Sequence, residues 1–275
     1  MNDASVARYG VHNQTRSETE IDRAVESIRL VGFAVVDGGY GPSEIARFAT
    51  SFDRALDANL ACHGLEFLKR LDENNTMRAL LGIDRTFLEL AQNSTVLAIC
   101  RQLMGEYIIL HQQNGVINPA NAQHYNQAAF HRDLPYQHLV SSHPLAVNAL
   151  YCVDTFTEQN GGTYVVPASH KSEAFPSDAM VGALQMQISA KAGSFILIDS
   201  MLFHCGGVNY TDRPRRAVSH LYSLPILRPQ IDLSAELGED YSDDADVRRL
   251  LGYDVRTPQS VAAFYAARQK RVQGK

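Results

Sequence analysis

Basic residues never gather into a long run in this chain. Lys and Arg number 25 against 30 Asp and Glu, a formal net charge of −5, so the electrostatic footprint expected of a nucleic-acid or anionic-membrane partner is missing. Cysteine is scarce: Cys62, Cys100, Cys152 and Cys205, with no C-x-x-C pair among them. No apolar run approaches the length that spans a bilayer, and the opening MNDASVARYG has no apolar core of the kind a secretory signal carries. These absences predict a cytoplasmic protein with free thiols. What is present is ordinary: 275 residues, 45% hydrophobic and 20% charged, enough for a sizeable core.

The pattern along the chain predicts one domain in four stretches. Residues 1 to about 17 read as a polar arm. The stretch 18–106 reads as mostly helical support. Ile21, Ala24, Val25, Ile28 and Leu30 mark one face of a helix over 19–30; VGFAVVDGG follows as a short strand. Ser43 is placed to cap a second helix, and Asp84 to cap a third that covers roughly RTFLELAQNSTVLAICRQLMG. From 107 to 225 the texture turns to short β-rich runs: YIILHQ, VNALYCVD, TYVVP, SFILID and AVSHLYSL, mostly bounded by Gly, Pro, Asn or Asp. A body of this kind is a sandwich or a roll. Residues 226–275 read as a helical cover, with helices at 244–251 and 258–272.

Within the β-rich stretch, FHRD places His131 and Asp133 two residues apart. In an extended segment both point to one side while Arg132 points away. His204, in FHCGGVN, is the third member. Two imidazoles and one carboxylate hold a divalent metal on one face and leave the other positions open, a set that suits Fe(II) and also accepts Zn(II), Mn(II) or Co(II). Eleven residues after His204 stands Arg215. Its parity groups it with Ala217, Ser219 and Leu221. If that face turns inward, the buried guanidinium needs an anion, whereas Arg213 and Arg216 are expected to be solvated. His124, His138, His143 and His170 compete as ligands, and His-x-Asp alone is a weak signal.

The set of motifs strengthens it. TEQNGGTYVVPASHK (157–171) and KAGSFILIDSMLFHCGGVNYTDRPRRAV (191–218), together with FHRD, resemble the phytanoyl-CoA dioxygenase (PhyH-like) family of Fe(II)/2-oxoglutarate oxygenases. The resemblance runs over about 25–225. It implies a mainly β fold, a double-stranded β-helix (cupin-like jelly roll) with an N-terminal helical layer. It implies His131, Asp133 and His204 as the iron ligands and Arg215 as the residue that binds the distal carboxylate of 2-oxoglutarate. Thr163 would be a hydroxyl partner of that cosubstrate, and Asn160, Gly161, Gly162, Pro167, Ser169 and His170 would shape turns. One departure is Ala128, where relatives often carry Gln, with Gln127 beside it. Gln112 and Asn114, on the opposite face of their strand from Gln113, are the other polar candidates.

The activity implied is oxidation of an unactivated C–H bond of a small metabolite with O2 and 2-oxoglutarate, giving succinate and CO2, with ascorbate as reductant in vitro. Asp133 favours hydroxylation over halogenation, because relatives that halogenate have Gly or Ala there. Desaturation, cyclisation and epimerisation share the same start. A zinc-dependent cupin-type hydrolase or isomerase would use the same ligands, and a non-enzymatic sensor would keep the fold alone. Tyr136 and His138 are candidates at the mouth of the site, and residues 60–84 are a candidate lid.

Overall fold

The structure is a computed structural model that describes residues 6–121, 125–134 and 139–273. In chain order, α1 (Glu20–Val31) leads to β1 (Phe33–Asp37), α2 (Pro42–His63), α3 (Leu65–Arg70), β2 (Thr76–Arg78) and α4 (Leu80–Ile83). Next come α5 (Phe87–Ala91), α6 (Ser94–Met104), β3 (Ile109–Asn118), β4 (Ala146–Cys152), β5 (Thr163–Val165), α7 (Asp178–Leu184) and β6 (Met186–Gln187). The chain ends with β7 (Ser194–Asp199), β8 (His204–Gly206), β9 (Arg215–Ser223), α8 (Leu233–Leu237), α9 (Ala245–Leu250) and α10 (Val261–Gln273).

All strand pairs are antiparallel. Six strands form one sheet in the order β1-β7-β4-β9-β3-β2, and three form a second in the order β6-β5-β8. A bridge between His131 and His204 extends the smaller sheet. The result is a double-stranded β-helix with helices on its outside. Helical residues outnumber strand residues, but the strands build the cavity.

The large sheet is covered on both faces, so its strands read as nearly continuous apolar runs. Val147, Ala149 and Tyr151 of β4, Phe195 and Leu197 of β7, and Val218 and Tyr222 of β9 join the helices in the main core. The opposite parity, with Ile196, Ile198 and Ala217, faces the smaller sheet. Burying one such side chain contributes about 1.5–3 kcal/mol, and the main core alone holds Phe48, Phe52, Phe87, Ile28 and Leu90 with no exposed surface.

α1 is capped by Thr19 and Asp22, each donating its backbone N–H to the other's side chain at 3.0 Å. Gly32 ends it at φ +92°, where a Cβ would lie 2.5 Å from Leu202 and 2.8 Å from His170. Only glycine fits that turn, and its carbonyl accepts from Asp199 N–H, tying the helix layer to β7.

Several expectations need correction. Ser43 does not cap α2: Pro42 is already helical, Gly41 is the cap, and Glu44 reaches back to accept from Gly41 N–H at 2.8 Å. The long third helix is two helices. Asp84 ends α4 and accepts from Thr86 N–H in the turn before α5, whose N-cap is Thr86 with no side-chain cap; Asn93 then accepts from Val96 N–H to start α6. Residues 60–84 are no loose lid, since β2 is paired into the large sheet beside β3. The C-terminal cover is made by α8 and α9, whose Leu233, Val247 and Leu250 enter the core; α10 leaves Val261, Phe264 and Tyr265 exposed.

Candidate active site

His131 and His204 meet because their segments bridge in both directions, His131 N–H to His204 O at 2.9 Å and His204 N–H to His131 O at 3.1 Å. Each ring places Nδ1 2.9 Å from a carbonyl two residues back, Ala129 for His131 and Leu202 for His204. A carbonyl accepts only, so Nδ1 carries the proton and Nε2 keeps its lone pair. Burial lowers the pKa of the His204 imidazole, which favours that neutral form. Asp133 is the third member: its Oδ1 lies 3.6 Å from His204 Nε2, and ligand atoms of the three residues all fall within 4.8 Å of one another. Two imidazoles that direct Nδ1 to carbonyls and leave Nε2 for a ligand, with a carboxylate, fit a divalent iron.

Asp133 is itself held. Its Oδ2 accepts from Asn148 Nδ2 at 3.1 Å, and Asn148 Oδ1 accepts from the Ser219 hydroxyl at 3.0 Å. Asn148 was not anticipated, although a lone amide inside the apolar run VNALYC was a visible signal. Arg132 points the other way, as its parity requires. It donates to the carbonyls of Ser169 and Glu173 and lies 4.0 Å from the centre of the Phe203 ring.

Arg215 opens β9 on the inner face and is 3% exposed. Its guanidinium stacks 3.8 Å from the centre of the Phe156 ring, and its Nε has no hydrogen-bond partner among the described residues. No carboxylate pairs with it there; the Tyr125 hydroxyl is a hydrogen-bonding neighbour. A buried cation without an anion is costly, so a carboxylate-bearing ligand fits the arrangement. Tyr125 comes from the segment after β3 and was not anticipated. It lies so close to β8 that a Cβ on Gly206 would sit 1.7 Å from its hydroxyl.

The cavity between the sheets is about 220 Å³ and is lined by the triad, Arg215, Tyr125 and Thr163, among others. Gln112 and Asn114 line it too, whereas Gln113 turns to the helices and donates to Phe87 O. Gln127 lines the cavity as well. Arg216 is not solvated as expected: it pairs with Asp154 and with Asp53, while Arg213 is exposed. His170 is buried beneath Gly32 and His143 is exposed, both away from the triad. His124, Tyr136 and His138 lie outside the described residues.

The profile of the phytanoyl-CoA dioxygenase (PhyH) family matches residues 28–217, more than half of the sequence. The chain belongs to that family. Among relatives, an uncharacterized protein of Mycobacterium tuberculosis is 28% identical over 265 residues, covering 94% of this chain and 96% of its own. The ectoine dioxygenase of Streptomyces coelicolor is 23% identical, covering 72% and 80%. Among solved structures, EctD from S. alaskensis with 2-oxoglutarate and 5-hydroxyectoine has a TM-score of 0.64 at 19% identity, covering 80% and 82%. The epimerase SnoN, solved with Fe3+, alpha ketoglutarate and nogalamycin RO, has a TM-score of 0.60 at 19% identity, covering 82% and 93%. These last two share the fold. By its family this PhyH chain is an iron- and 2-oxoglutarate-dependent oxygenase. No helix among its described residues is long and apolar enough to cross a membrane.

Proposed function

We propose that this protein hydroxylates an unactivated C–H bond of a small molecule, with 2-oxoglutarate and O2 as cosubstrates. His131, Asp133 and His204 would hold Fe(II), and Arg215 would bind the distal carboxylate of 2-oxoglutarate. Bound iron would activate O2, the oxidant for the C–H bond, while 2-oxoglutarate would give up two electrons in becoming succinate and CO2. The protein's part is placement. Asn148 and Ser219 orient Asp133, and the backbone carbonyls of Ala129 and Leu202 fix both imidazole tautomers. Arg215 gives the cosubstrate one orientation, with Tyr125 and Thr163 as neutral hydroxyl neighbours.

Arg215, buried beside the triad with the Tyr125 hydroxyl but no carboxylate bonded to it among the described residues, carries this reading. A zinc hydrolase would have no use for it. Asp133 speaks for hydroxylation over halogenation, because the carboxylate occupies the place a halide would need. The test is anaerobic addition of Fe(II) and then 2-oxoglutarate, followed by O2 with ascorbate and candidate metabolites. The expected results are a weak visible charge-transfer band, then succinate and a product that gains one oxygen atom from O2. Product of unchanged mass would indicate epimerisation, and loss of two hydrogens desaturation or cyclisation. Zinc binding with no response to 2-oxoglutarate would overturn the oxygenase.

A further inference from the structure

A second cavity adjoins the first. It lies between the C-terminal half of α2, α3, β2 and α4, and its volume is about 690 Å³. Thr76 and Arg78 of β2 line both cavities. The triad cavity, at about 220 Å³, is smaller than the roughly 300–1,000 Å³ of ordinary small-molecule sites; it has room for a cosubstrate and a reacting end. The second has room for the body of a metabolite.

The wall of this second cavity is mostly apolar, and it gathers side chains that folding alone does not explain. Phe67 is 45% exposed, Leu71 55% and Ile83 37%, and all three line it, beside Leu68 and Ile231. Clustered exposed apolar side chains on one concave surface mark a binding site. The polar groups are arranged at the junction. Arg78 donates to Glu73 through Nε at 2.9 Å and again through Nη2. With its amide turned to satisfy both neighbours, Asn114 accepts from Arg78 Nη1 at 3.2 Å. Glu73 already neutralises this Arg, and Glu236 adds another negative charge to the wall. An anionic ligand would meet net negative charge and hydrocarbon. A neutral oxygen acceptor would meet the N–H groups that Arg78 has left.

We propose that this second cavity seats the substrate's body, and that the substrate is a neutral, mostly hydrocarbon molecule whose hydroxyl or carbonyl oxygen meets Arg78. The proposal rests on the oxygenase reading and deepens it. Oxidation would then fall on a carbon close to that oxygen, because Arg78 lines both cavities.

Cys62 gives a direct test. It lines the second cavity and is exposed, whereas Cys100, Cys152 and Cys205 are buried, so a thiol reagent reads occupancy there. The probes are decan-1-ol and decanoate, equal in length and different in charge. Decan-1-ol should slow Cys62 modification and bind at least about tenfold more tightly than decanoate, because an unpaired carboxylate resists burial. Leu71→Glu should abolish the protection; Leu71 is exposed, so a thermal melt should show the fold kept. Ala58→Trp, a second exposed position in the wall, should block the cavity by bulk instead of charge. Decan-1-ol should also perturb the charge-transfer band of the anaerobic Fe(II)–2-oxoglutarate complex. Absence of any band would strike the oxygenase reading and leave the labelling result standing. No protection by decan-1-ol, stronger protection by decanoate, or protection that survives both variants would overturn the proposal. So would labelling that slows with rising protein concentration, since a second copy of the chain would then be the occupant.

Discussion

Asp133, the carboxylate of the proposed iron site, owes its placement to groups outside the triad. Its second oxygen is held by Asn148, which Ser219 holds in turn. Removing such an outer partner costs about 10–100-fold in metal affinity. Asn148→Leu should therefore weaken Fe(II) binding by about that factor, read by anaerobic titration, while the melting temperature moves little; unchanged affinity would mean that Asn148 only packs. Arg215 differs, as a buried charge in the cavity wall that is proposed to meet the cosubstrate. Losing a hydrogen bond to a charged group costs about 1.5–3 kcal/mol, so Arg215→Met should raise the KM for 2-oxoglutarate at least about tenfold. The exposed Arg213, replaced by Ala, should leave that KM as it is. Equal KM values in the two variants would remove Arg215 from the cosubstrate site.

At the scale of the element, period-two alternation did most of the work and was legible in the sequence. It placed His131 and Asp133 together with Arg132 apart, and set Arg215 on one face of β9 with Ala217, Ser219 and Leu221. It also divided Gln112 and Asn114 from Gln113. What alternation cannot reveal is which distant strand lies opposite. Tyr125 and Asn148 reach the site only through the order of strands, and Arg78 only because β2 adds to the edge of the large sheet. Helix ends were harder still, since Asn93 sits inside a periodic apolar pattern and caps a new helix in place of continuing the old one. Arg216 was misread because Asp53 and Asp154, its partners, are 163 and 62 positions away. Gly206 links element to site. A methyl group there would meet the Tyr125 hydroxyl at 1.7 Å, so Gly206→Ala must expel the phenol from Arg215. The KM for 2-oxoglutarate should rise as it does in Tyr125→Ala. The double variant should be no worse than either, the non-additivity expected of one shared contact; additive losses would show that Gly206 acts elsewhere.

For the molecule as a whole, the fold buries three histidines outside the triad among the described residues: His111, whose pKa burial lowers, and the more strongly shifted His170 and His220. His170, beneath Gly32, and His220, on the helix side of β9, are 2% and 0% exposed. Burial pushes the pKa of each down to about 4. Unfolding returns them to about 6.5, so between about pH 6.5 and about pH 4 the unfolded chain binds more protons. Stability is then lost as pH falls through that window, by about 1.4 kcal/mol per pH unit for each histidine. Asp199 works the other way. Burial raises its pKa to about 6, so below about that pH the folded chain holds an extra proton, and this offsets one histidine. His220→Gln isolates a single contribution, because the amide can still donate to Ala149 O, which Nδ1 now faces at 3.1 Å. Urea unfolding of the wild type should weaken steeply on acidification from about pH 7 to about pH 5. The variant should lose less over the same interval, by about 1–2 kcal/mol. Parallel losses in the two proteins would mean that His220 is protonated in the folded state, and that the acid sensitivity of this fold lies elsewhere.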